Sequence, residues 1–193
     1  KDGFGVITTA ASHVSEHGKG WSGEMGVWSD SHLEGLTQLA SNLSDNGSIS
    51  LVQIFHGGMK APENLIGQIP ICPSEVVGNG GTRLAREINH EEIQSLISDF
   101  ATAAKRCELA GFDGVEIHGA HSYLISQFLG TKTNRRDDEY GGSIENRFRF
   151  LRQIIIAIRE KVSDDFLISV RISPKINTIG ISIDDSIEVT KML

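Results

Sequence analysis

Two imidazoles and a phenol fall close together in the run His118-Gly119-Ala120-His121-Ser122-Tyr123. If the intervening turn is helical, a histidine pair three apart can aim two N–H donors at one carbonyl oxygen. Such donors draw electron density out of a conjugated alkene and prepare its β-carbon for hydride. A phenol, with an ordinary pKa near ~10, stays protonated at neutral pH and can quench the carbanion that results. Histidine pairs also bind metals. A third ligand at a matching spacing is not evident here, but Glu116 faces the same side as His118 on a strand period and keeps a zinc site open. Two structural histidines and a core tyrosine are the plainer alternative.

Two further residues invite chemistry. Arg171, in Leu167-Ile168-Ser169-Val170-Arg171-Ile172, is a permanent charge in an otherwise apolar strand, a costly placement unless an anion or polar group meets it. A structural salt bridge is the competing account. Gln53, in Leu51-Val52-Gln53-Ile54-Phe55, offers a donor and an acceptor on one amide, which a carboxylate cannot do; taken alone, a loop or capping role fits it as well.

These residues need strands to carry them. Four apolar or β-branched runs bounded by turn residues are predicted as strands, Gly5 to Ala11, Ile49 to Phe55, Gly114 to His118, and Phe166 to Ile172. Helical periodicity lies between them. Asn89 and Glu92 form a capping box for a helix from His90 to Ala110, with Ile93, Leu96, Phe100, Ala104 and Cys107 on its stripe. Ser31 and Glu34 have capping-box spacing for a helix to Leu43, and Phe148, Leu151, Ile155, Ile158 and Val162 mark another after Tyr140-Gly141-Gly142-Ser143. Strands alternating with helices make a parallel sheet. An open doubly wound sheet would usually carry G-x-G-x-x-G after its first strand, and Ala11-Ser12-His13-Val14-Ser15 supplies none, which favours a (β/α)8 barrel. The strand ends then read Ala11, Gln53, His118 and Arg171. The long segment from His56 to Asn89 is expected to cover the mouth as a loop.

Composition narrows the function classes. A formal charge of −7 opposes phosphate-backbone binding, so no nucleic acid partner is expected. No run approaches the ~20 apolar residues that cross a bilayer, so no membrane partner is expected either. Cys72 and Cys107 are far apart and read as reduced thiols, which fits the cytoplasm. The chain opens at Lys1 and runs almost at once into a strand, and both ends read as cuts in a larger protein.

The stretch GFDGVEIHGAHSYLISQFLGTKTNRRDDEYGGSIENRFRF, Gly111 to Phe150, resembles the signature of the old yellow enzyme family, in particular its short bacterial branch with a His-x-x-His pair. GVITTAASHVSEHGKG, GVWSD, LVQIFHGG and FLISVRIS extend the resemblance over essentially the whole chain. It implies a TIM barrel of which residues 1–193 are a partial FMN-binding domain carrying strands two to five, and an FMN-dependent NAD(P)H oxidoreductase that reduces activated alkenes such as enones or nitroalkenes. It also implies roles. His118 and His121 would bind the substrate carbonyl and Tyr123 would give the proton; Gln53 would pair with the flavin pyrimidine edge. Arg171 would sit beside flavin N1 and O2, and Ala11 would let the backbone approach the ring. The Asn134 to Arg147 block would be architectural. A dienoyl-CoA reductase-type enzyme with further domains and a non-catalytic flavin-binding homologue stay open, as does homo-oligomerisation of the full-length protein. Two residues depart from the family pattern: Ala10 stands where Glu is frequent, and Met59 where Arg follows His-x-Gly. Both are expected to alter contacts near the mouth.

Overall fold

The protein is described by a computed structural model covering residues 3–174 and 180–193. In chain order the elements are β1 (Val6–Thr8), β2 (Ser12–His13), α1 (Leu33–Ser44), β3 (Ile49–Phe55), α2 (Glu63–Ile66), β4 (Ile71–Cys72), β5 (Val76–Val77), β6 (Arg83–Glu87), α3 (His90–Leu109), β7 (Gly114–Gly119), α4 (Leu124–Leu129), α5 (Ile144–Lys161), β8 (Leu167–Ile172) and α6 (Ile183–Met192). The main sheet runs β1-β3-β7-β8 with β2 also on β3, and every pairing in it is parallel. Its strands and the helices between them form half of a (β/α)8 barrel, as the alternation predicts.

Partners in register share a face, and this separates two surfaces. Val52, Ile54, Val115 and Ile117 belong to the apolar core with Ile93, Phe100, Ala104 and Cys107 of α3 and Leu151, Ile154 and Ile158 of α5. Burying each such aliphatic or aromatic side chain contributes about 1.5–3 kcal/mol. The opposite surface is the barrel interior, and it is built in tiers: Leu51, Gly114 and Leu167 at the bottom, then Gln53, Glu116 and Ser169, then Phe55, His118 and Arg171. Gly114 must be glycine here, because a Cβ would stand 2.4 Å from the Leu167 carbonyl oxygen. The polar residues thus occupy the two upper tiers.

The predicted strand Gly5 to Ala11 is formed only over β1, ending at Thr8; Ala11 lies in the link, and β2 begins one residue beyond the predicted end. Thr8 pairs with Leu51 but Ser12 pairs with Ile54, so one extra residue is accommodated between them, a bulge. Thr9 spans the gap by accepting on Oγ1 the amide N–H of Gln53 at 3.2 Å. Ala11, buried, lies just before the Ser12 pairing and so level with Gln53.

Two further expectations change. The helix cap is Ser29 with His32 rather than Ser31 with Glu34, because a short 3-10 turn over Asp30–His32 precedes α1. The segment from His56 to Asn89 is not an irregular loop: β4, β5 and β6 form a small sheet in the order β4-β6-β5. Strands of two and five residues are too short to declare themselves by alternation. The α3 capping box stands as predicted, with Asn89 and Glu92 each accepting the other's backbone N–H.

Candidate active site

β7 delivers His118 into the upper tier, where it is buried. Its ring meets His121 edge-on at a centroid distance of 4.9 Å and Tyr123 edge-on at 5.0 Å. The Ala120 N–H donates to His118 Nδ1 at 3.2 Å. That acceptor role places the hydrogen of the neutral ring on Nε2. Burial, reinforced by His121 and Arg171, lowers the His118 pKa to about 4, so the ring is neutral at pH 7. His121 is also lowered, by burial first and then by Arg171 and Lys60.

The turn between the two histidines is not helical, contrary to the spacing argument. His121 has φ 57° and Ser122 φ 62°, and the Tyr123 N–H closes the turn on the Ala120 carbonyl at 3.2 Å. Positive φ at both central positions is the type I′ pattern, normally taken by Asn or Gly. For ordinary side chains the left-handed region costs about 1–2 kcal/mol per residue, so surrounding contacts must hold the turn. The two rings still come together, because the turn folds His121 back over the end of β7.

Tyr123 is the N-terminal cap residue of α4 and half-buried, its ring 4.7 Å from that of Phe55. Burial raises its pKa, and the carboxylate of Glu24 raises it further. Glu24 is itself buried. It accepts from His13 Nδ1 at 2.9 Å and from the backbone of Gly20 and Trp21 at 2.6 and 3.1 Å. This holds Trp21 stacked on Phe55 at 5.8 Å.

Gln53 lies inside β3 rather than at its end, and its Nε2 donates to Glu116 Oε1 at 2.5 Å. Glu116 does face the His118 side, as the strand period predicts, but its carboxylate is engaged by Gln53. Among the described residues, the three-residue group with metal-ligating atoms within 4.8 Å of one another is His90, Asp138 and Glu139 instead. There Asp138 is already bound by Arg136 Nε and Nη2. Arg171 pairs in register with His118 and is exposed on β8. Gln53, Ala11 and Arg171 suit a flat heteroaromatic ring: an amide with both hydrogen-bonding senses, a small residue at a bulge, and a cation on the tier above.

The block from Asn134 to Arg147 ties elements together. Asn134 Nδ2 bonds the carbonyls of Phe128 and Tyr140, both at 2.7 Å, and Arg136 reaches the carbonyls of Pro73 and Ile88 at 3.0 and 2.7 Å. Arg147 donates to the Leu129 carbonyl. Of the two departures, Met59 turns its sulfur toward Cys72 Sγ at 3.8 Å, and the exposed Ala10 receives the Thr9 and Ser12 hydroxyls on its carbonyl.

Sequence reasoning missed three residues at the site, Phe55, Lys60 and Gln127. Lys60 Nζ donates to the His121 carbonyl at 2.8 Å and stands 5.5 Å from the Tyr123 ring centroid. Gln127, fully buried, donates to the Ser122 carbonyl at 2.7 Å and accepts from the Met59 N–H at 3.1 Å. The signal available was Gly57-Gly58, a double glycine one residue beyond the end of β3. Gly58 has φ 58°, and a Cβ on it would stand 2.3 Å from Gln127 Oε1.

The chain is 42% identical over 171 residues to an NADPH dehydrogenase of Clostridium acetobutylicum, covering 89% of this chain and 50% of that protein. It is 39% identical to the probable NADH-dependent flavin oxidoreductase YqiG of Bacillus subtilis, covering 89% and 47%. The chain therefore spans about half the length of these curated relatives. Among solved structures, the old yellow enzyme homologue from Zymomonas mobilis matches with a TM-score of 0.88 at 32% identity, over 97% of this chain and 56% of that one. A 2-naphthoyl-CoA reductase matches with a TM-score of 0.90 at 33% identity, over 98% and 31%. The model of the NADH:flavin oxidoreductase / NADH oxidase family matches residues 1–192, and the chain belongs to that family.

Proposed function

We propose that these residues are part of an FMN-dependent NAD(P)H oxidoreductase that reduces the C=C bond of activated alkenes, and that residues 1–193 are a partial FMN-binding barrel domain. The observation that carries this reading is the edge-on packing of His118, its Nδ1 taken by the Ala120 N–H, against both His121 and Tyr123. Bound FMN would supply the hydride chemistry, taking its reducing equivalents from NAD(P)H. Gln53 would turn its amide from Glu116 to the pyrimidine edge, Ala11 would give room to the ring, and Arg171 would offset negative charge beside it.

His118 Nε2–H and an N–H of His121 would bind the carbonyl or nitro oxygen of the substrate. Neutral donors suit this task, because they polarise the oxygen without protonating it. Tyr123 would donate its phenolic proton to the α-carbon. Its raised pKa keeps that proton in place until carbanion character develops.

In full-length protein, Tyr123→Phe is expected to leave flavin reduction by NAD(P)H within about threefold of wild type while slowing reoxidation by 2-cyclohexen-1-one at least ~100-fold. Anaerobic stopped-flow absorbance separates the two half-reactions. An equal loss in both would remove Tyr123 from its role as acid. The likeness to 2-naphthoyl-CoA reductase favours a second reading, in which the activated alkene is an acyl-CoA thioester. Offering an enoyl-CoA thioester in the same assay distinguishes the two.

A further inference from the structure

Two adjacent non-glycine residues in the left-handed region do not stay there unaided, and the chain that follows β3 is built around them. The carbonyls of both strained residues are gripped. His121 O accepts from Lys60 Nζ at 2.8 Å, and Ser122 O accepts from Gln127 Nε2 at 2.7 Å. Gln127 is fixed in turn by the Met59 N–H on its Oε1 and by the Gly57 carbonyl, 3.3 Å from its Nε2. The Leu124 N–H, just beyond the turn, donates to the His56 carbonyl at 3.0 Å. A strap from His56 to Lys60 thus clasps the segment from His121 to Gln127 at four points.

The two grips differ in kind. Gln127 is a buried residue whose amide bonds backbone through both its nitrogen and its oxygen, and it belongs to the frame. Lys60 is exposed, and its charge has a second neighbour in the face of the Tyr123 ring, within cation–π range. An exposed lysine gains little from a lone carbonyl, since its rotamer entropy is lost on fixing it. Its place over the hinge between one histidine and the phenol gives it a different use.

We propose that Lys60 is a positioning residue for the reaction, holding the His121 carbonyl so that the left-handed turn aims the His121 imidazole and the Tyr123 phenol at the same substrate. This rests on the alkene-reductase reading above.

The test compares Lys60→Met, which keeps the stem and removes the donor, with Lys60→Arg, which restores a cationic donor, in full-length protein. Two readouts are used: affinity for 4-hydroxybenzaldehyde, followed by the change in flavin absorbance, and reoxidation of photoreduced protein by 2-cyclohexen-1-one or by dioxygen. Lys60→Met is expected to weaken the phenol and slow the enone reaction by about tenfold each, with the dioxygen rate unchanged, and Arg to recover both to within about threefold. Dioxygen needs no carbonyl clamp, so a general disturbance of the fold would slow both oxidants alike. Phenol affinity and enone rate within about twofold of wild type in Lys60→Met, or equal loss with both oxidants, would overturn the proposal. If wild type bound the phenol but ignored the enone, the substrate reading would fail. A tenfold phenol effect in Lys60→Met would then leave the positioning role standing.

Discussion

His118 is buried with its Nδ1 committed to the Ala120 N–H, whereas His121 stands exposed on a left-handed residue. In the proposed reaction the first is a fixed donor, and the second depends on its turn. Replacing either by Ala is expected to weaken phenol ligands, whose oxygen mimics a polarised carbonyl, by about 10–100-fold, with the larger loss for His118. Its preset tautomer means that less ordering is required on binding. Titration of 4-hydroxybenzaldehyde against flavin absorbance in full-length variants measures this, and unchanged affinity in both would make the pair structural. Residue types and spacing made His118, His121 and Tyr123 legible as a group. Lys60 and Gln127 were not legible, because they act through backbone carbonyls, and a carbonyl carries no sequence signature.

At the scale of elements, the strands that position the site could be read from their apolar runs, and β3, β7 and β8 fall within a residue of the prediction. The bulge before Ser12 could not, since one extra residue leaves the composition of the run unchanged. The left-handed turn at His121 is hidden for a similar reason: spacing of three also fits a helical turn, and nothing in Ala120-His121-Ser122 announces positive φ. What fixes that turn lies in Gly57-Gly58-Met59-Lys60. Gly58→Ala places a Cβ at φ 58° and 2.3 Å from Gln127 Oε1, so Gln127 must move and release Ser122. Denaturant unfolding of the full-length variant is expected to show a loss of about 2–4 kcal/mol, combining left-handed strain with overpacking. A loss below about 0.5 kcal/mol, the range of neutral surface changes, would mean that the strap does not hold the turn.

Over the whole molecule, the sheet leaves apolar side chains in the open toward both sides: Val6 on the β1 edge with its partner Ile49 on β3, and Leu167 on the β8 edge. An open groove of about 600 Å³ along β8 is lined by Ile155, Ile156, Ile168 and Val170 and by the charged Arg159 and Glu160. Such surfaces are what a barrel covers when its remaining strands and helices close on them. Among the described residues no helix is long and apolar enough to cross a membrane. Arg171 stands on the strand at the β8 edge, which explains why a residue placed inside a barrel is exposed here. If the two polar tiers of this interior serve one flavin reaction, as proposed, full-length protein followed anaerobically at the flavin absorbance band will report it. NAD(P)H should bleach the band, and 2-cyclohexen-1-one should then restore it with one saturated ketone formed per flavin. A protein that bleaches but is restored by dioxygen alone, or one that purifies without flavin and does not take up FMN, would contradict an alkene-reducing flavin site in this interior.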